Sequence, residues 1–134
     1  MIFGRRNEHK LPKFPESVEA VFNDFCEALP PESIAEVKSE LDKAVKKILR
    51  KSLENDLIET KLVNELYEAS CALLERYEEF GKSHRAMIIG AIRYFVVEND
   101  PLPDSGFSSG YYDDAKVMNY VIHQIGLDEL IIDV

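Results

Sequence analysis

The side chains best suited to chemistry lie between residues 98 and 115, in the segment ENDPLPDSGFSSGYYDDA, which contains no Lys or Arg. Its carboxylates are Glu98, Asp100, Asp104, Asp113 and Asp114. The segment also holds two of the six prolines and two of the six glycines. Carboxylates combined with the carbonyls of a Pro/Gly loop are the hard oxygen ligands that Ca²⁺ and Mg²⁺ prefer. One interpretation is therefore a cation site with Asp100, Asp104, Asp113 and Asp114 as ligands.

The same carboxylates also have a structural interpretation, in which no cofactor is needed. Asp113 suits the N-cap of the helix that follows, and Asp114 would face the positive end of that helix dipole. Arg93 interrupts the most apolar stretch of the chain, and a buried guanidinium requires an acidic partner. Asp100 and Asp104 are the nearest supply of carboxylates, so an ion pair between Arg93 and one of them is predicted. Both interpretations stay open.

The elements that must position these residues are helices, because helical periodicity is strong and strand alternation is nearly absent. Apolar stripes predict five helices. The first ends at Leu-Pro-Pro (29–31), the second begins at Ser33, and the third ends at Gly81. The fourth and fifth cover about 84–97 and 113–125. Residues 52–56 separate the second helix from the third, or the two form one bent helix. The tail after Gly126 is expected to add a last helical turn that docks on the bundle.

Local signals mark where these helices begin and end. Ser33 and Glu36 have the spacing of a capping box, in which each side chain bonds the other's free backbone amide. Gly81 suits a C-terminal cap, and Ser83 suits the N-cap of the fourth helix. The fourth helix is apolar nearly all the way round, which is typical of the centre of a bundle. The fold class predicted is all-α: a small single-domain bundle of about five helices, with an acidic Pro/Gly loop between the last two long helices.

Length and composition agree with one globular domain over residues 1–134, of which residues 1–14 are predicted to be a flexible N-terminal segment. The formal charge of −9 disfavours nucleic acid and anionic membranes as partners. The longest apolar run, AMIIGAIRYFVV, is broken by Arg93 and is shorter than the roughly 20 residues that span a bilayer. We therefore expect a cytoplasmic protein.

One basic run stands out in this acidic chain, and its members are Lys43, Lys46, Lys47, Arg50 and Lys51. Lys43, Lys47 and Arg50 share one helical face, and Lys46 is placed off that face. A solvated surface near a helix C-terminus, where cations meet the negative end of the dipole, explains the run. Gly-Lys-Ser at 81–83 is not a phosphate loop, because the required earlier glycine is Arg76. Cys26 and Cys71 are expected to be reduced, buried thiols.

Residues around the acidic loop resemble the signature of the YkvA-like bacterial domain of unknown function. The matching positions are Tyr94, Asp100, Pro103-Asp104, Gly110-Tyr111 and Asp113-Asp114-Ala115. The resemblance covers about residues 88–125 and implies a helical hairpin around an acidic loop, with no established catalytic activity. The resemblance marks Tyr94, Pro103, Gly110 and Tyr111 as structural or docking residues. Arg93 is added to them because of its predicted ion pair.

The chain departs from that family where relatives carry apolar loop residues. Glu98, Asn99 and Ser105 are polar here, which argues against a membrane role. The function predicted is a non-enzymatic helical interaction or accessory module of a bacterial cell. Its acidic loop would be a structural element or a docking surface for a protein partner, with a homo-oligomer as a further option. The alternative is a divalent-cation-dependent enzyme or cation-binding protein that uses the loop aspartates.

Overall fold

The computed structural model describes residues 16–54, 59–98 and 109–134. Within these ranges it contains five α-helices and no strand, which confirms the all-α prediction. The helices are α1 (Glu16–Phe25), α2 (Ile34–Ser52), α3 (Thr60–Glu75), α4 (Lys82–Glu98) and α5 (Ser109–Gln124). Short 3₁₀ turns cover Pro31–Ser33, Tyr77–Glu79 and Asp128–Leu130. The predicted N-terminal segment, residues 1–14, lies outside the described residues.

The helix α4 is the centre of the bundle, as its apolar circumference predicts. It contacts all four other helices. Ile88, Ile89, Ile92 and Phe95 have almost no exposed surface. All residues from 87 to 92 are buried and successive residues are about 100° apart, so the buried surface extends around the helix. Burying an aliphatic or aromatic side chain of this size contributes about 1.5–3 kcal/mol relative to leaving it exposed. The central helix therefore stabilises every other element that packs on it.

The second and third helices are separate elements, which decides one of the alternatives that the sequence leaves open. The helix α2 ends at Ser52, whose hydroxyl donates to the Leu49 carbonyl oxygen (2.6 Å). Leu53 and Glu54 form a turn, and α3 starts at Thr60. The two helices pack against each other.

The capping box predicted at Ser33 is wrong. Ser33 already has helical backbone angles (φ −87°, ψ −8°), and its side chain makes no capping hydrogen bond. The reason is that Pro31 starts a 3₁₀ turn that leads directly into α2. Proline is well suited to a first helical position because its fixed φ is already helical. The chain therefore enters the helix before Ser33 can adopt the extended conformation that a capping side chain requires.

The predicted end of the third helix at Gly81 is also wrong, because α3 ends at Glu75 and a 3₁₀ turn follows. The guanidinium of Arg85 donates to the carbonyl oxygens of Tyr77 (3.2 Å) and Glu78 (3.0 Å). These bonds satisfy carbonyls that a left-handed glycine would otherwise help to satisfy. Gly81 instead precedes α4, and its carbonyl accepts from the amide of Arg85 (2.9 Å). The helix thus starts at Lys82, and Ser83 lies inside it rather than at its cap.

The end of α5 at Gly126 and the docked tail are both confirmed. Gly126 has φ 81°, a left-handed conformation that glycine adopts without strain. The amides of Gly126 and Leu127 donate to the carbonyls of His123 (3.1 Å) and Ile122 (3.0 Å), which is the Schellman pattern. Beyond the following 3₁₀ turn, the side chain of Asn119 bonds both backbone groups of Ile132, at 2.9 and 2.8 Å. This pair of bonds fixes the tail against α5.

A close approach of α1 to α4 depends on Gly90. A Cβ at this position would lie 2.5 Å from Cys26 Sγ and 3.1 Å from Phe22 Cε1. Cys26 and Cys71 are both free thiols, in agreement with the prediction, and both are partly buried. Burial raises the pKa of Cys26 to about 12, although the nearby Arg93 cation acts in the opposite direction. The thiol therefore stays protonated and packs as a small apolar group.

We expect Gly90→Ala to destabilise the protein by about 1–3 kcal/mol, the usual range for overpacking. The clash must exceed the gain in helix propensity of about 1 kcal/mol that Ala brings over Gly. Denaturant unfolding of Gly90→Ala, Cys26→Ala and the double variant measures this. The double variant should recover part of the loss, because the nearest clashing atom is then absent. A Gly90→Ala protein as stable as the wild type would contradict the close packing of α1 on α4.

Candidate functional site at the acidic end of the bundle

The topology brings four helix ends together at one end of the bundle. The connections between α2, α3 and α4 are short, so successive helices run in opposite directions. The C-terminal ends of α2 and α4 therefore lie at the same end of the bundle as the N-terminal end of α3. A hydrogen bond from the Tyr112 hydroxyl to Glu59 Oε2 (2.5 Å) joins α5 to α3 at this end. We call this surface the acidic end and define it by Leu53, Glu54, Glu59, Val97 and Asp113.

The acidic end combines exposed carboxylates with exposed apolar side chains. Glu54, Glu59 and Asp113 are exposed. Leu53 is 83% exposed and Val97 is 50% exposed, which places both among the most exposed large apolar residues of the described chain. Residues 99–108, which connect α4 to α5 at this end, carry two further aspartates and lie outside the described residues. Exposed apolar side chains and exposed carboxylates thus occur together at this end of the bundle.

Beneath this surface, Tyr94, Tyr111 and Asp114 are buried where α4 and α5 meet. Asp114 is 2% exposed, which is unusual for a carboxylate. Burial, and secondly the charge of Asp114, raise the pKa of Tyr111 to about 12. Tyr111 is therefore a neutral hydroxyl at physiological pH, next to a buried acidic group. The structure thus buries Tyr94, Tyr111 and Asp114, three of the residues singled out by the sequence.

The prediction that Asp113 is the N-cap of the last helix is wrong. The helix α5 begins at Ser109, so Asp113 lies more than one turn inside it. Its side chain is exposed, whereas that of Asp114 points inward. Successive helical residues are about 100° apart, so two neighbouring aspartates can face opposite environments. The helix dipole acts most strongly within the first turn, and Asp114 also lies beyond that turn.

Arg93 has a partner that the sequence did not suggest. Its Nη1 donates to Glu27 Oε1 (3.0 Å) and to the carbonyl oxygen of Phe25 (3.1 Å), the last residue of α1. A cation at this position also faces the negative end of the α1 dipole. The predicted partners Asp100 and Asp104 lie outside the described residues, so that pair stays a prediction. Glu27 is 66 positions away in sequence, and no local spacing could have identified it.

The proposed cation site is only partly within the described chain. Asp100, Pro103 and Asp104 lie outside it, and Gly110 is described as helical backbone at the start of α5. Asp113 faces solvent and Asp114 faces the core. In the ranges 16–54, 59–98 and 109–134, no three His, Cys, Asp or Glu side chains lie close enough together to hold a metal ion. A Ca²⁺ or Mg²⁺ site thus stays a prediction about the loop.

A second polar cluster, which sequence analysis missed, joins α2 to α3. The Tyr67 hydroxyl donates to Asp42 Oδ1 (2.6 Å), and Lys38 Nζ lies 3.1 Å from the same carboxylate. The hydrogen bond from Tyr67, followed by that from Lys38, holds the pKa of Asp42 below its usual value. Lys38 also lies 5.6 Å from the centre of the Tyr67 ring. The i,i+4 spacing of Lys38 and Asp42 was the available signal, and the cluster fixes the two helices in register.

The basic run of α2 is exposed, as predicted. Lys43, Lys46, Lys47 and Arg50 all project into solvent, and Lys51 is partly buried. The prediction that Lys46 lies off the face shared by Lys43, Lys47 and Arg50 is wrong, because residues 43, 46, 47 and 50 fall within an arc of about 100°.

Comparisons with known proteins give no match to a family model, to a curated protein or to a solved structure. The resemblance to the YkvA-like domain therefore stays a hypothesis that rests on the loop residues. In the described part of the chain, no helix has both the length and the apolarity required to cross a membrane.

Asp113 and Asp114 allow a matched test of these two environments. We expect Asp114→Asn to destabilise the protein by about 1–3 kcal/mol, the usual cost of disturbing a buried polar group. Asp113→Asn should stay within about 0.5 kcal/mol, as is usual for a surface position. Denaturant unfolding measures both. Ultraviolet titration should also show a lower pKa for Tyr111 in Asp114→Asn and no change in Asp113→Asn. Equal stabilities for the two variants would contradict the burial of Asp114.

Proposed function

We propose that this protein is a non-enzymatic helical interaction module that binds a protein partner through its acidic end. The observation that carries the proposal is the presence of Leu53 and Val97, both highly exposed, beside exposed carboxylates at one end of the bundle. Large exposed apolar residues are costly in water and gain free energy when a partner covers them. The carboxylates would select the partner by charge.

The chemistry of this surface defines the partner. It would be a protein segment with apolar side chains flanked by Lys or Arg, such as a basic amphipathic helix. Exposed carboxylates at the rim would speed association and reject acidic partners, while the apolar contacts would supply affinity. The buried Tyr94, Tyr111 and Asp114 would support the surface without contacting the partner.

Site-specific photo-cross-linking in cells tests the proposal. A photoreactive benzoylphenylalanine at Val97 should capture a partner protein, because this side chain lies on the acidic end. The matched control is the same residue at Ile131, which is 42% exposed compared with 50% for Val97 but lies at the opposite end of α5. We expect a discrete cross-linked product at position 97 and none of that mass at position 131. Identical products at both positions, or none at position 97, would contradict the proposal.

Binding of the purified partner then tests the role of charge. Asp113→Lys should weaken the complex by about fivefold to tenfold and mainly slow association, as expected for a rim charge. Asp24→Lys makes the same change in net charge at an exposed position of α1 and serves as the control. Equal loss of affinity in both variants would show that net charge, and not the acidic end, attracts the partner.

A second candidate function is a divalent-cation-dependent protein, and the observation that favours it is the buried carboxylate of Asp114 beside the loop. An ion that binds only the folded state stabilises it by about 2.7 kcal/mol at a hundred times its dissociation constant. On this alternative, Ca²⁺, Mg²⁺ or Mn²⁺ should raise the melting temperature by several degrees over EDTA. The rise should vanish in Asp104→Asn and persist in Asp24→Asn. A melting temperature that no ion changes would exclude this alternative.

A further inference from the structure

The exposed face of α2 carries charges in two blocks. Its N-terminal half presents Glu36 and Glu40, and its C-terminal half presents Lys43, Lys46, Lys47 and Arg50; all six side chains are exposed. At about 100° per residue, they fall within an arc of about 120°. We call these six residues the α2 charged face. Lys38 and Asp42 lie beside it and are already engaged with Tyr67.

Most neighbouring charges within the α2 charged face are alike, and only the i,i+3 pair of Glu40 with Lys43 joins opposite charges. Each i,i+4 pair within the α2 charged face joins like charges: Glu36 with Glu40, Lys43 with Lys47, and Lys46 with Arg50. Such pairs destabilise an isolated helix by about 0.2–0.5 kcal/mol each. In the described ranges of the chain, the ion pairs that form involve none of these six residues.

The helix dipole explains only the ends of this pattern. Carboxylates near the N-terminus and cations near the C-terminus of a helix are favourable, but the effect decays within the first or last turn. In α2 (Ile34–Ser52) that accounts for Glu36 and Arg50. Glu40, Lys43 and Lys47 lie in the interior of the helix, where the dipole has little effect.

The two blocks are complementary to their own copy. When a second α2 lies antiparallel to the first about a twofold axis, Glu40 faces Lys43 of the copy and Glu36 faces Lys47. Both pairs are centred on the same point of the helix, between positions 41 and 42, so one axis satisfies both. Glu32, which is exposed in the preceding turn, then approaches Arg50 of the copy. Each contact occurs twice, as a twofold interface requires.

We infer that the α2 charged face is a self-association surface, and that its partner is a second copy of this chain in an antiparallel, twofold arrangement. The interface is polar and limited to one helix face, so the dimer is weak and transient. It is also salt-sensitive, because the contacts are exposed ion pairs. This inference is independent of the acidic end and of its proposed partner.

Charge-exchange variants test the inference. In Glu36→Lys/Glu40→Lys the face becomes wholly basic. In Lys43→Glu/Lys47→Glu the positions 36, 40, 43 and 47 are all acidic, while Lys46 and Arg50 stay basic. Sedimentation equilibrium at about 0.1 M salt should show the dimer weakened by about tenfold or more in each variant alone. An equimolar mixture of the two should form a heterodimer. The fourfold variant that combines these substitutions exchanges the charges at positions 36, 40, 43 and 47, keeps the net charge and should dimerise like the wild type.

The variant Glu36→Lys/Glu40→Lys distinguishes the effect of the α2 charged face from that of general charge repulsion. It lowers the net negative charge, so repulsion alone predicts stronger association, whereas the α2 charged face predicts weaker association. Raising the salt from about 0.1 to 0.5 M should weaken the wild-type dimer, because the Debye length becomes shorter and the ion pairs are screened. Circular dichroism of each variant verifies that these surface substitutions preserve the helical fold.

Four results would overturn the inference. The first is a monomeric wild type throughout the accessible concentration range at about 0.1 M salt. The second is association that persists unchanged in both half-exchanged variants, which would place the interface elsewhere. The third is a mixture of the two variants that stays monomeric. The fourth is a monomer that binds duplex DNA or an acidic peptide through Lys43 and Lys47, which would assign the face to another ligand.

Discussion

The structure depends on the burial of α4 from every side. Four helices cover it, and each packs on a surface of large apolar side chains. The helix α1 approaches this surface closely at Gly90, which has no side chain. The same close approach brings the end of α1 to Arg93, which bonds the Phe25 carbonyl and Glu27. A charged residue can thus occupy the most apolar helix because the neighbouring helix ends beside it. The packing of α1 and the placement of this cation therefore have one cause.

The features that sequence predicts well are those with a local cause. The five helices, the central position of α4 and the end of α5 at Gly126 follow from periodicity and from one glycine conformation. The predictions that failed each depended on a more distant or competing interaction. The side chain of Arg85 satisfies carbonyls before Gly81, and Pro31 starts a helical turn before Ser33.

The candidate site was predictable to a smaller extent for the same reason. Tyr94, Tyr111 and Asp114 are singled out in the sequence by their positions beside the loop, and all three side chains are buried. The partner of Arg93 and the bond between Tyr112 and Glu59 join residues 66 and 53 positions apart, which no spacing rule reaches. The N-cap predicted at Asp113 is wrong because α5 begins one turn earlier, at Ser109, although Asp is a residue that N-caps prefer.

The contrast between Asp113 and Asp114 shows how neighbouring residues of one helix can face the core and the solvent. Because the side chains are about 100° apart, Asp114 lies in the core beside Tyr111 while Asp113 remains in solvent. A buried carboxylate is constrained by its surroundings, since any change in its charge or size disturbs the packing of α4 on α5. An exposed carboxylate has no such constraint. The exposed side chains of the acidic end can therefore be altered while the helices that carry them keep their positions.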